Sequence, residues 1–259
     1  MFKKIMSFIK GFVIINILWY IGSLIMNSRI IPSPEKIYMH IPELFNDGFY
    51  VHIIASLYRV IIGLLISFVV GTLIGLVMGY SKKINKLLNP LIYFTYPIPK
   101  TALLPVVMTI YGLGDGSKIT IIVLITVFQV IVSVRDAVVN IDPKIYNPLI
   151  SLGATRFQLF YHITFPAILS EVLTNIRLSV GTAFSVLFFA EAYGTKFGLG
   201  YFIQDAWTRI NYIDMYSGIV VLSLLGLLIF LLIDFVESSL CKWKAKVKRY
   251  PLRIEYIDL

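Results

Sequence analysis

VIIGLLISFVVGTLIGLVMGY, residues 60–80, carries no charged side chain. At ~1.5 Å of rise per residue it crosses a hydrocarbon layer of ~30 Å as a single helix. Within it a small residue recurs at every fourth position: Gly63, Ser67, Gly71, Gly75 and Gly79. On a helix these residues stack into one ridge along the i±4 row. Helix association in lipid is driven by close contact rather than by exclusion of water, so a Gly/Ser ridge predicts a face on which a second helix lies very near.

Similar runs recur outward from this stretch, and they place the chain in the all-α, polytopic membrane class, as one membrane-embedded domain over residues 1–259 with about six spans. The predicted spans are 8–26, 60–80, 90–112, 119–134, 166–190 and 215–233. Met215 to Ile233 is also free of charge, whereas Lys100, Glu171 and Arg177 interrupt other spans and predict helices buried among neighbours. The span over 119–134 is short, and Lys118 and Arg135 at its ends are expected to snorkel toward the interfaces. With 58% hydrophobic and 14% charged residues, no large soluble domain is left over. The basic leader before residue 8 resembles a signal peptide, but Ile25-Met26-Asn27-Ser28 has no A-x-A-like pattern, so a retained anchor helix is expected.

The net charge of +9 raises nucleic acid as a partner. The cations lie between apolar runs and in the tail instead of along one polar face, which excludes that class. Their placement instead sets orientation through the excess of Lys and Arg on the cytoplasmic side. With the N-terminus inside, fifteen of the 23 fall inside, among them Lys3, Lys4, Lys82, Lys83, Lys86, Arg156 and the tail residues Lys244, Lys246, Lys248, Arg249 and Arg253. Arg29, Lys36, Lys118, Lys196 and Arg209 fall outside, so both termini are expected in the cytoplasm. Cys241 is the one cysteine and forms no internal disulfide. His40, His52 and His162 lack metal-ligand spacing and no nucleophile has a base at hand, so neither a metal nor a catalytic site is expected.

Between the fourth and fifth spans lies an inside segment, about 142–165, too long for a plain hairpin. Pro143 suits a helix start and Pro166 the opening of the next helix. Leu149, Leu152, Phe157 and Phe160 give the segment apolar groups that need a partner, with Phe157 and Phe160 as the expected anchors. Headgroups or the chain itself are the competing neighbours.

The run Leu152-Gly153-Ala154-Thr155-Arg156 through Ile163-Thr164-Phe165-Pro166 resembles the EAA loop of ABC import permeases. Gly153, Ile163 and Pro166 fall in register with that pattern; Asn147-Pro148-Leu149 replace its Glu-Ala-Ala, and Phe165 replaces a leucine. Further likeness, to the nitrate, sulfonate, taurine and bicarbonate group, runs in order through Pro32-Ser33-Pro34, Ser56-Leu57-Tyr58-Arg59-Val60, Tyr96-Pro97-Ile98-Pro99-Lys100, Tyr111-Gly112-Leu113-Gly114, and Ala190-Glu191-Ala192-Tyr193-Gly194. The resemblance implies a multi-pass protein of the bacterial cytoplasmic membrane and a coupling helix around Tyr146 to Phe160. It also implies two permease copies, two cytoplasmic ATPases, and an extracytoplasmic binding protein delivering a small anion such as a sulfonate, taurine or nitrate, or a vitamin precursor. No G-x-x-x-x-G-K-[ST] loop is present, so the chain itself is expected to hold no cofactor and ATP to bind the partner subunit.

Pro97, Pro99 and Pro105 break the third span and free carbonyls that survive at depth only against protein or water. Lys100 among them is a candidate path residue or a structural pair. Arg177, eleven residues past Pro166, either stabilises a passing anion or pairs with Glu171 or Glu191. Arg59 reads as an interfacial anchor. The Gly- and aromatic-rich stretch after Glu191, Gly194 to Trp207, reads as a gate, a docking rim or an ordinary turn. A secondary transporter and a membrane-embedded enzyme are the rival classes; the first would show an internal repeat and the second paired acid–base residues within spans.

Overall fold

The computed structural model describes residues 2–26, 30–95 and 97–242. Asn27, Ser28, Arg29, Tyr96 and the tail cations Lys244, Lys246, Lys248, Arg249 and Arg253, all used above, lie outside the described residues. Among the described residues every regular element is helical. In chain order these are α1 (Phe2–Met26), α2 (Pro34–Asn46), α3 (Tyr50–Tyr80), α4 (Lys82–Thr95), α5 (Leu104–Tyr111), α6 (Asp115–Val139), α7 (Asn147–Ser151), α8 (Arg156–Leu159), α9 (Phe165–Ala192), α10 (Leu199–Thr208) and α11 (Tyr212–Leu240). Short tight turns of helix at Lys100–Leu103 and Pro143–Ile145 precede α5 and α7.

Among the described residues, α3, α6, α11 and the run from Arg156 to Ala192 are long and apolar enough to cross a membrane. The bent pair of α4 and the segment ending at Tyr111 makes a fifth if counted as one, and the apolar part of α1, Lys10–Met26, is shorter.

The ridge on α3 is seated on α6. A Cβ added to Gly63 would stand 2.7 Å from Ile122, one on Gly71 2.7 Å from Val130, one on Gly75 2.7 Å from Val134, and one on Gly79 2.6 Å from Val138. Between the first two, the Ser67 and Thr126 hydroxyls meet at 2.6 Å. Every rung pairs residue n of α3 with residue n+59 of α6, so the helices run in the same direction. The chain from residue 80 to 115 therefore returns across the layer, and α4 with α5 is the segment that does so. That pair is bent by 84°. The third span is thus two helices joined at an angle, because Pro97 and Pro99 remove donors where an unbroken helix needs them.

The other helices dress this pair. Ile168 and Val172 of α9 join Val130, Val134 and Val138 in one buried cluster. The amphipathic α2 lies on α11, where His40 Nε2 meets Asp214 Oδ1 at 2.7 Å, and Trp19 of α1 stacks on Tyr216. Several helices outrun the apolar stretches that announce them: α3 begins at Tyr50 and α4 at Lys82, ahead of the predicted starts at 60 and 90. α6 takes in both Lys118 and Arg135, so neither marks an end, and α11 continues past Ile233 through Asp234 and Glu237.

The rungs differ in what blocks a larger side chain, and this makes them separable. Gly79→Ala is expected to destabilise by about 1–3 kcal/mol through overpacking. Pairing it with Val138→Gly is expected to recover part of that loss, since the three nearest atoms, the Cβ at 2.6 Å included, all belong to the Val138 side chain. Gly75→Ala with Val134→Gly is expected to stay fully destabilised, because the Ile131 carbonyl also stands 2.7 Å from the new Cβ and no side-chain change removes it. Thermal unfolding of the purified variants in detergent checks both.

Candidate functional site

Three arrangements carry polar chemistry. The first closes the end of the bundle where α3 and α6 begin. Arg59, one helical step below Gly63 on the buried ridge, is only 4% exposed. Its Nε donates to Asp115 Oδ1 at 2.7 Å, and its Nη1 donates to Glu191 Oε1 at 2.6 Å and to the Phe197 carbonyl at 2.8 Å. Ser56 Oγ donates to the same carboxylate at 2.8 Å, and Glu191 Oε2 accepts from the Gly200 amide at 2.8 Å. A Cβ on Gly198, whose φ is +128°, would lie 2.4 Å from the Glu191 carboxyl carbon, so glycine is required there. Lys118 is fully buried, and its Nζ donates to the carbonyls of Leu113 and Gly194.

Arg59 is therefore no interfacial anchor: its guanidinium is enclosed by two carboxylates and a carbonyl. Lys118 likewise does not snorkel. Glu191, fully buried, faces this network and not an open passage. The network straps the stretch from Gly194 to Gly200 onto α3, α6 and α9.

The second arrangement is the segment between α6 and α9. Asp142 accepts from the Lys144 amide at 2.9 Å to start the turn at Pro143. α7 then ends after five residues in a left-handed Gly153, φ +76°. The Gly153 amide donates to the Ile150 carbonyl at 2.9 Å and the Ala154 amide to that of Leu149 at 3.0 Å, the paired bonds of a Schellman stop. Thr155 and Gln158 form a reciprocal capping box that opens α8.

One coupling helix from Tyr146 to Phe160 is thus replaced by two short helices at an elbow. Gly153 serves the turn and not a close approach, for nothing lies within 4 Å of its missing Cβ. Pro166 stands in the first turn of α9, as expected, but without a break before it: α8 runs through a widened π turn, Phe160–Thr164, into α9. The wider turn relieves the clash between a proline ring and the carbonyl four residues back, and supplies no donor where proline has none.

Leu152 is 85% and Phe157 74% exposed, with Ile145, Ile150 and Tyr161 also open. Leu149, Phe160, Ile163 and Pro166 are half-buried, and Phe160 rests on Phe165 at 6.2 Å, so Phe160 is no free anchor. Ala154 is half-buried, while Thr155 and Arg156 are exposed. The elbow is pinned to the bundle by hydroxyls the sequence reading passed over. Tyr80 Oη donates to buried Thr164 Oγ1 at 2.7 Å, and Tyr146 Oη meets the same oxygen at 2.9 Å.

The third arrangement is a cavity of about 990 Å³ between α6 and α9. Gln129, Ser133 and Asp136 on α6 face Glu171, Asn175 and Thr182 on α9, and His162 and Ile163 lie toward the elbow. The two walls are joined where Ser179 Oγ donates to Gln129 Oε1 at 2.9 Å.

Arg177 points away from this cavity's lining. It pairs with Asp234 and lies 3.4 Å from Glu237 of α11, with its guanidinium over the Phe230 ring. Its partners are thus neither Glu171 nor Glu191; the apolar run of α11 stops before Asp234, which hid them. Lys100 sits at the α4–α5 break with its ammonium 5.2 Å from the centre of the Phe128 ring. Pro97 and Pro99 flank the bend and are exposed. Among the described residues no group of three or more His, Cys, Asp or Glu is arranged to hold a metal ion.

Residues 67–241 match the family described as binding-protein-dependent transport system inner membrane component. The formylaminopyrimidine transport permease protein ThiX of Halalkalibacterium halodurans is 31% identical over 236 residues, covering 91% of this chain and 94% of the relative. A putative aliphatic sulfonates transport permease protein, SsuC of Bacillus subtilis, is 29% identical over 93% of this chain and 90% of its own length. The taurine transport system permease protein TauC of Escherichia coli is 28% identical over 91% and 88%. In fold, the chain is similar to a bacterial ABC transporter involved in import of the acidic polysaccharide alginate, with a TM-score of 0.63 and 16% identity over 91% of this chain and 96% of that one. It is also similar to an inward-facing MetNI methionine ABC transporter, with a TM-score of 0.61 and 19% identity over 73% and 94%.

Two substitutions separate the outer strap from the elbow. Glu191→Ala leaves the buried Arg59 with Asp115 as its one remaining carboxylate and is expected to cost about 3 kcal/mol, the lower end for a broken buried pair, read as a lowered melting temperature. Thr164→Val removes the oxygen that two part-exposed tyrosine hydroxyls share, at about 0.5–1.5 kcal/mol for each bond lost. It is expected to speed proteolytic cleavage within residues 142–155 several-fold.

Proposed function

The chain belongs to the family of binding-protein-dependent transport system inner membrane components, and from that premise we propose that the α6–α9 cavity is one half of a solute path and the elbow the grip of a motor subunit. The protein is the permease subunit of an ABC importer, multi-pass in the inner membrane. It is a transport subunit and not an enzyme; ATP is hydrolysed in a separate ATPase and the solute comes from a binding protein. Membership in this family sets aside both the secondary transporter and the membrane-embedded enzyme.

The observation that carries the path is the polar cleft itself. Glu171, Asn175 and Thr182 follow one face of a membrane-crossing helix opposite Gln129 and Ser133. Polar groups on such a face are costly against lipid and are tolerated against water or protein. A second copy of the chain closes the cleft across a symmetry axis, and the resulting homodimer engages two ATPases.

On the elbow, Leu152 and Phe157 reach into a groove of the ATPase, and Tyr146, Thr164 and Tyr80 pass its movement to α3 and α9. Both termini lie in the cytoplasm, on the side of the elbow, and ATP belongs to the partner while this chain holds no cofactor. The relatives' names specify aliphatic sulfonates, taurine and formylaminopyrimidine, which supports a small organic solute as cargo. Arg177, matched by two carboxylates, adds no positive charge to the path.

Copurification tests the grip. The tagged chain is expected to bring down an ATPase at about one to one, with vanadate-sensitive uptake. Leu152→Glu combined with Phe157→Glu is expected to release the ATPase and abolish uptake while membrane insertion persists. Gly153→Asp forces a side chain into a left-handed residue and is expected to act in the same direction, through the turn. An ATPase retained at full ratio by the double variant would count against the elbow as its grip.

A further inference from the structure

From the charges lining the α6–α9 cavity we infer that this section of the path prefers cations and repels anions, so that the cargo passes it uncharged or positively charged, held by amide and hydroxyl groups. The inference rests on the cavity being the solute path. Three carboxylates line it: Asp136, Asp142 and Glu171. Asp136 is held by Arg135 at 2.7 Å, and Asp142 caps the Lys144 amide.

Glu171 makes no ion pair among the described residues, and it projects from α9 one helical turn before Asn175. No Lys or Arg is among the described residues that line the cavity; His162 near the elbow is its one basic side chain. The remaining polar groups are amides and hydroxyls, Gln129, Ser133, Asn175 and Thr182 among them.

Low-dielectric walls focus the field of a charge into the water between them, raising the local concentration of the opposite sign. A second copy brings a second Glu171 to the same water. A free sulfonate or other fixed anion thus meets an uncompensated negative field at the elbow end of the cleft. A solute bearing amino groups finds carboxylate and amide acceptors instead.

The preference is measurable without knowing the cargo. In the complete importer carrying Cys241→Ser, Asn175→Cys places the one thiol on the cavity wall, and Ser133→Cys places it on the opposite helix. The probes are a trimethylammonium-bearing and a sulfonate-bearing methanethiosulfonate, each rate divided by that with a free thiol in solution.

Glu171 lies one turn away, roughly 6 Å between Cβ atoms. At that distance a unit charge in water-like surroundings changes local ion concentration about threefold, so probes of opposite sign differ by about tenfold. The expected result is a cation preference of that order at Asn175→Cys and a smaller one at Ser133→Cys, both reduced toward unity by Glu171→Gln.

Equal rates, a preference for the anionic probe, or a cation preference unmoved by Glu171→Gln would overturn the inference and leave the path intact. Absence of reaction with either probe at both positions would overturn the path, and the inference with it.

Discussion

Removal of side-chain volume from one ridge of α3 lets α6 lie so close that even a methyl group on the glycines would collide with it. Everything else hangs on that approach. It fixes the two helices in one register over five rungs and makes them parallel. It thereby obliges the intervening chain to cross back, and leaves a second face of α6 free for α9. Water does not drive this contact; dense van der Waals packing does, and only small residues permit it over so long a ridge.

From that frame the protein separates an end strapped by buried charges from an end held by a few hydroxyls. Where α3 and α6 begin, Arg59, Asp115, Glu191 and Lys118 knit three helices to the Gly194–Gly200 stretch with charge-assisted bonds and backbone carbonyls. Such groups are costly to bury and costlier to separate, so the strap resists opening. At the other end the elbow hangs on short helices, a glycine turn and three hydroxyls around Thr164, with its apolar groups turned outward. A π turn then links the elbow to α9. Phe157 is joined to α9 by continuous helix, Leu152 stands across the Gly153 turn from it, and Tyr80 ties Thr164 to α3. Rigid short elements, each packed against the next, carry displacement better than an extended loop does.

The same division orders the charges. Among the described residues the buried cations Arg59 and Lys118 are answered within the fold, by two carboxylates and by carbonyls, and the half-buried Arg177 is answered by Asp234 and Glu237. Glu171 makes no ion pair among the described residues, and it lines the cleft between α6 and α9. Cations occur in three spans of the sequence, yet the open cleft carries the opposite sign, because pairing consumes charge wherever two helices touch.

The amino-acid sequence by itself determined the membrane class, the α3 ridge, the elbow's place near Gly153 and the family likeness, since these rest on local hydropathy, spacing and short motifs. It also held an unused clue: Arg59 continues the row of Gly63 and Ser67 by one step of four, so it had to face the buried side. Only the tertiary structure decided which charges meet. Arg177 finds Asp234 fifty-seven residues away, Glu191 finds Arg59 at a separation of 132, and the cleft exists only between α6 and α9. Pairing across helices depends on their relative rotation and register, which long-range contacts set and no local pattern encodes.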